Sequence, residues 1–333
     1  MSLQKKALLV GINYTSIPGI TLKGCINDVV NMSHLLVDAF DYELANITVL
    51  RDDTNNKSIY PTRTNIINYL NNLVNQSSNL SEIWFHYSGH GSQVRDFNGD
   101  EADGIDEIIV PVDYRNNGFI TDDEIFNIIK KSKCKTVLLF DSCHSGSICD
   151  LQWSFEYNNG AFTKTLNTNK FISNPNIICF SGCKDSQTSA DSYSLESQQA
   201  VGAFTASFIH CLRLNRMNVD ILKLYSDLCI YISAQKFTQK PLLSCSSASP
   251  FYKFTRIMNS NPLSITSAQI VSTPFKNAPN KSISMSTTNK VTNINDVILN
   301  EHIASSVSKE TVNISFDFVV RKSNSLGKMN IGI

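Results

Sequence analysis

The chain has 333 residues, 42% hydrophobic and 17% charged, and Lys+Arg and Asp+Glu are both 29, so its formal net charge is zero. That is ample for a sizeable core, and the balance argues against a general nucleic-acid or membrane-surface binder. The nine cysteines follow no framework: the nearest pairs, Cys143/Cys149 and Cys179/Cys183, are not CxxC. This reads as reduced thiols in the cytoplasm, with the nucleus also open.

The first predicted strand spans 7–13. Its apolar run is too short for a signal segment or a membrane span. A helix follows over 25–40, with Ile26, Val29, Val30, Leu36, Val37 and Phe40 at helical spacing. Next come a strand at 45–51, a helix at 62–74 opened by Thr62 as N-cap, and a strand at 82–88. Residues 93–120 are acidic and read as a long insertion, of a length that is usually functional or disordered. Thr121-Asp122-Asp123-Glu124 has the capping-box pattern and opens a helix over 121–131. Strands at 136–142, 176–182 and 241–246 and helices at 200–214 and 218–236 complete the series, with 151–174 read as a loop. Short apolar strands alternating with helices predict an α/β fold: a doubly wound, mostly parallel six-stranded sheet with helices on both faces. From 258 to 333 the chain is rich in Ser, Thr and Asn and reads as a flexible tail.

Two hexapeptides carry the chemistry. His86-Tyr87-Ser88-Gly89-His90-Gly91 and Asp141-Ser142-Cys143-His144-Ser145-Gly146 each follow a strand-like apolar run. Ligands of parallel α/β sheets bind past the carboxyl ends of the strands. Cys143 and His90 there could meet as thiol nucleophile and base. His90 stands about 50 residues upstream of Cys143, the order expected of caspase-like proteases. The main-chain amides of Gly91 and Cys143 are the natural oxyanion donors. No third triad member is evident. A lone Cys or His is usually structural, and His34, His86, His144 and His210 are read so.

At these motifs the chain resembles the metacaspases, caspase-related cysteine proteases. Leu22–Asp28, Asp103–Glu107, Pro111–Asp113 and Ser181–Asp191 add to the resemblance, which runs in order over roughly residues 6–250 and is closest to type I members. It implies a caspase-like catalytic domain over 1–257, with a large-subunit-like part (1–150), a connecting loop (151–174) and a small-subunit-like part (175–257). It also implies a monomer. Almost nothing precedes the first strand, a departure from the zinc-finger or Pro/Gln-rich leader of many type I members.

Asp28, Ser88 and Asp141 are placed to border one crevice. Two carboxylates there would attract a cation and repel an anion, so protein or peptide substrates should carry Arg or Lys, not Asp, before the cut. Taken alone, Asp28 reads more readily as a helix-entry cap; with both acids at strand-top positions the pocket is favoured. The resemblance implies that Cys25, Asp28, Ser88 and Asp141 form a basic-specific pocket. Asp106, Asp122, Asp123 and Asp150 are candidates for one oxygen-only cluster suited to Ca²⁺ or Mg²⁺. Composition alone favours a solvated acidic loop; the resemblance implies calcium, as activator, at those four positions. An EF-hand loop from Asp96 fails at Glu101, where Gly is needed. Lys164 and Lys170, read as exposed, are candidate self-cleavage sites. Rival readings are a non-proteolytic scaffold, a legumain-like or separase-like hydrolase, and a nucleotide-binding domain, the last lacking both GxGxxG and GxxxxGK[ST].

Overall fold

Apolar runs with weak alternation fold as strands covered on both faces. The computed structural model describes residues 4–96, 104–143, 148–168, 170–182, 191–194, 199–237 and 239–257. In chain order the elements are β1 (Gln4–Gly11), α1 (Cys25–Phe40), β2 (Ile47–Arg51), α2 (Arg63–Asn75), β3 (Leu80–Ser88), β4 (Gly91–Arg95), β5 (Ile105–Ile109), α3 (Tyr114–Asn117), β6 (Ile120–Thr121), α4 (Asp122–Ile129) and β7 (Lys135–Asp141). The remainder is β8 (Trp153–Asn158), β9 (Ala161–Leu166), β10 (Ile177–Ser181), β11 (Asp191–Ser194), β12 (Gln199–Gly202), α5 (Ala203–Leu214), β13 (Val219–Asp220), α6 (Ile221–Ala234), β14 (Leu242–Cys245) and β15 (Lys253–Phe254).

The main sheet has the order β2-β1-β3-β7-β10-β14-β8-β9. The first five strands are parallel; β14, β8 and β9 continue it antiparallel. The mostly parallel α/β sheet is therefore as expected, but it has eight strands rather than six. The extra two are a hairpin within 151–174, the stretch read as a loop. Its turn is Asn159-Gly160, both at positive φ (51° and 83°), as a two-residue hairpin turn requires. The insertion before α4 is partly a second sheet, β4-β5-β6, antiparallel throughout. The tail from 258 onward lies outside the described residues.

Alternation along the strands divides the core into two layers. On one face Leu9, Trp84, Leu139 and Phe180 pack with Val29 and Met32 of α1, Phe204 and Phe208 of α5, and Leu224 of α6. On the other, Leu8, Phe85, Leu138 and Ile177 pack with Ile66 and Leu70 of α2 and Ile125 and Ile129 of α4. Thr62 caps α2 by accepting from Asn65 N–H, and Thr121 with Glu124 forms the expected capping box on α4. None of the eight cysteines described is in a disulfide. Among the described residues no helix is long and apolar enough to cross a membrane.

His34 and His210 lie in α1 and α5, and the ring of His210 stacks on Tyr231 at 4.2 Å. His86, in mid-β3, is wholly buried, and its Nε2 meets Thr205 Oγ1 at 3.3 Å. Burial pushes its imidazole from 6.5 down to about 3. The unfolded chain thus takes up this proton near pH 6.5 and the folded protein only near pH 3. Stability is then lost as pH falls across that window, at about 1.4 kcal/mol per pH unit from this one group. Urea unfolding at a series of pH values checks it: the acid-side loss should be shallower in His86→Gln.

Candidate active site

Strands β3 and β7 are parallel neighbours with Ser88 opposite Asp141. His90 and Cys143 therefore both stand two residues beyond the same rung, at the carboxyl end of the sheet. The two turns touch. Gly89 N–H donates to Asp141 O at 3.3 Å. A β-carbon on Gly91 would stand 2.1 Å from the Cys143 carbonyl oxygen, so only glycine admits this approach.

The third member of the constellation is a main-chain group. His90 Nε2 lies 2.7 Å from the carbonyl oxygen of Ile20. A carbonyl only accepts, so this nitrogen carries the proton. Nδ1 is then the nitrogen left with a lone pair. The sequence offered no sign of Ile20, because a peptide carbonyl has no residue signature.

Two buried tyrosines hold the His90 backbone from below. Tyr14 Oη accepts from His90 N–H at 3.0 Å and donates to Val110 O at 2.6 Å. Tyr87 Oη donates to His90 O at 2.7 Å. The Tyr14 ring packs against the imidazole, centroids 4.7 Å apart. Burial pushes both phenols well above their ordinary range, so they stay protonated donors. Tyr14→Phe should cut kcat about 10- to 100-fold with little change in KM, since a small displacement of a catalytic group costs that much. Steady-state kinetics on a peptide substrate measure the split.

The three polar residues assigned to the crevice do meet. Ser88 Oγ donates to Asp28 Oδ2 at 2.7 Å, and Asp28 Oδ1 accepts from Gly202 N–H at 2.9 Å. Asp141 Oδ2 accepts from Thr205 N–H at 2.8 Å. The Oδ2 atoms of Asp28 and Asp141 both lie within 2.7 Å of where a Gly202 β-carbon would stand. Asp28, Ser88 and Asp141 are buried, as is Cys25 at the start of α1. Asp28 is not the helix cap: Gly24 holds that position, without a side-chain cap. Gly202 and Thr205 are site residues that sequence reasoning missed; they lie far along the chain and contribute main-chain groups.

The acidic cluster is assembled differently from expectation. Asp122 is fully buried at the start of α4 and accepts from the main-chain N–H of Glu107 and of Asp123, each at 2.8 Å. Burial, then the Asp150 charge, pushes its carboxyl up to about 9. Glu107, which sequence reasoning passed over, hydrogen-bonds the Asp122 side chain. Asp106, the preceding residue of β5, is also buried. Lys170 Nζ bridges Asp150 Oδ2 at 3.0 Å and Asp123 Oδ1 at 3.2 Å. Lys170 is thus a half-buried ion-pair partner, not the exposed loop residue expected; Lys164 is exposed, in β9. Among the described residues no group of three or more His, Cys, Asp or Glu side chains is set to hold a metal as it stands. His144, residues 97–103 of the rejected EF-hand loop from Asp96, and the stretch 183–190 fall outside the described residues.

A parallel α/β sheet presenting a cysteine and a histidine at adjoining strand ends defines a peptidase fold of caspase-like class. A family model described as the metacaspase, peptidase C14 domain matches residues 5–152. Metacaspase-1B of Neurospora crassa is 36% identical over 291 residues, covering 72% of this chain and 66% of that protein. Metacaspase-1 of Scheffersomyces stipitis is 37% identical over 290 residues, covering 73% of this chain and 71% of its own length. A crystal structure of a Geobacter sulfurreducens protein shares the fold, with a TM-score of 0.51 at 20% identity, covering 74% of this chain and 94% of that one. The chain belongs to the metacaspases, a family of cysteine-type endopeptidases.

Proposed function

We propose that this chain is a calcium-activated cysteine endopeptidase that cuts proteins after Arg or Lys, as a monomer in the cytoplasm, and that it processes itself. The observation that carries the peptidase reading is the His90–Ile20 hydrogen bond beside the Cys143 turn. It fixes the tautomer in which Nδ1 accepts the thiol proton. The Cys143 thiolate then attacks the carbonyl carbon of the basic residue, and the amides of Gly91 and Cys143 hold the oxyanion. As the C–N bond breaks, His90 passes its proton to the leaving amine. His90 next takes a proton from water, which attacks the thioester and frees Cys143. Asp28 and Asp141 bind the Arg or Lys side chain, each carboxylate already oriented by a main-chain amide.

Asp122, Asp123 and Asp150, with Asp106 carried over from the family, are the residues that would hold calcium. The donors fit in kind: they are carboxylate oxygens, and two of them, on Asp123 and Asp150, already share one cation, the Lys170 ammonium. Calcium, when bound, would supply that positive charge and tie α4 to the stretch following Cys143. Lys170 must leave its two carboxylates before it can enter any active site, so cation binding and self-cleavage after Lys170 are coupled. In an inactive Cys143→Ala background, Lys170→Met should bind calcium more tightly by calorimetry; weaker binding would count against the shared site.

The test of the whole reading is a fluorogenic panel with Arg, Lys, Asp or Asn before the cut, with and without calcium, beside a Cys143→Ala control. Arg and Lys substrates should be cut only by the intact protein with calcium. Comparable cleavage of the Asp substrate, or full activity in excess chelator, would overturn the assignment concerned.

A further inference from the structure

A cavity of about 130 Å³ opens against His90 and Gly91, walled by Ile20, Val110, Tyr114 and Phe119. Tyr114 and Phe119, both in its lining, stack with centroids 5.6 Å apart and planes at 20°. The side chains lining it are apolar or uncharged apart from His90 itself. These walls belong with the core layer of α2 and α4. Asp28, Gly202 and Thr205 come from α1 and the start of α5, whose layer covers the opposite face of the sheet. The cavity and the Asp28–Asp141 pair are therefore chemically unlike: hydrocarbon and aromatic rings line the one crevice, carboxylates the other.

The geometry points to this cavity as the subsite for the residue immediately after the cut, selective for a large apolar side chain such as Leu or Phe. The inference rests on the peptidase reading, in which His90 protonates the leaving amine. A general acid must come within hydrogen-bond reach of the atom it protonates. The nitrogen leaving the scissile bond is the main-chain nitrogen of the residue after the cut. That residue's Cα is thus one bond from an atom held at the His90 ring, and the cavity begins at that ring. Its size suits a Leu or Phe side chain. A charged side chain would lose its hydration there and meet only the neutral hydroxyls of Ser92 and Tyr114 and the His90 ring, with no opposite full charge in the lining.

The test uses calcium-loaded full-length protein and a set of decapeptides with Arg before the cut and Leu, Phe, Ala, Asp or Lys after it. Initial rates are read by mass spectrometry of both products. Leu and Phe peptides should exceed the Ala peptide in kcat/KM by at least about tenfold, the usual worth of a filled apolar pocket. Asp and Lys peptides should fall below Ala. Phe119→Ala should shrink the Leu-to-Ala ratio, and Phe119→Trp should penalise Phe more than Ala; the wild-type profile carries the test even if neither variant folds. A flat profile, or a preference for Asp or Lys, with normal cleavage after Arg would overturn the subsite and leave the peptidase reading intact. Failure to cut any peptide in the set would overturn both.

Discussion

Cys143→Ala and His90→Ala should each abolish turnover of an Arg peptide, by on the order of 10⁴-fold or more, and the double variant should be no worse than either alone. The thiol has no use without a base, and the base none without the thiol, so their losses do not add. The geometry makes the pair a unit. Both side chains stand two residues past one rung of adjoining parallel strands, and the Gly91 backbone lies against the Cys143 carbonyl. Changing Ile20 itself should do much less, since its part is played by a carbonyl that every residue has. Single-turnover kinetics on the four proteins measure the effect; additive losses would separate the two residues functionally.

The second large effect concerns Asp28 and Asp141. On the proposed specificity, Asp28→Asn and Asp141→Asn should each lower kcat/KM for Arg and Lys peptides by about 10²- to 10³-fold, the cost of leaving a buried cation without one of its carboxylates. The neutral amide still accepts the Gly202 or Thr205 N–H, so the fold survives. Two carboxylates so close repel each other in the empty pocket, so each variant should melt no lower than the parent, and higher where that repulsion is relieved. Melting temperature and peptide kinetics on the same preparations read both. Loss of activity together with a marked loss of stability would mean these acids are structural.

The strand-exit motifs were legible because their signal is local: a short apolar run, then small residues around a His or a Cys. The caps at Thr62 and Thr121 were legible for the same reason. The β8–β9 hairpin was missed although its signal was present. Trp153, Phe155 and Tyr157 alternate with polar residues ahead of Asn159-Gly160, a pattern that specifies a two-residue turn. The Asn/Thr-rich surroundings outweighed it. The antiparallel course of β14 was not readable, because alternation carries no strand direction. Ile20, Gly202 and Thr205 were hidden for a different reason: each serves the site through a main-chain atom, which leaves no mark on residue type. Lys170 was misplaced because its partners, Asp123 and Asp150, are distant in sequence. Glu107 was passed over in favour of its neighbour Asp106, and only the register of β5 puts its amide against Asp122.

The measurement closest to the centre is covalent labelling by an Arg peptide bearing an electrophilic carbonyl, followed by peptide mapping. Cys143 stands in the turn beside that of His90, whose Nε2 is already held by the Ile20 carbonyl. The label should therefore arrive at Cys143 alone, require His90, and be refused from an otherwise identical Asp peptide. Modification spread over other cysteines, or equal uptake from the Asp peptide, would contradict it.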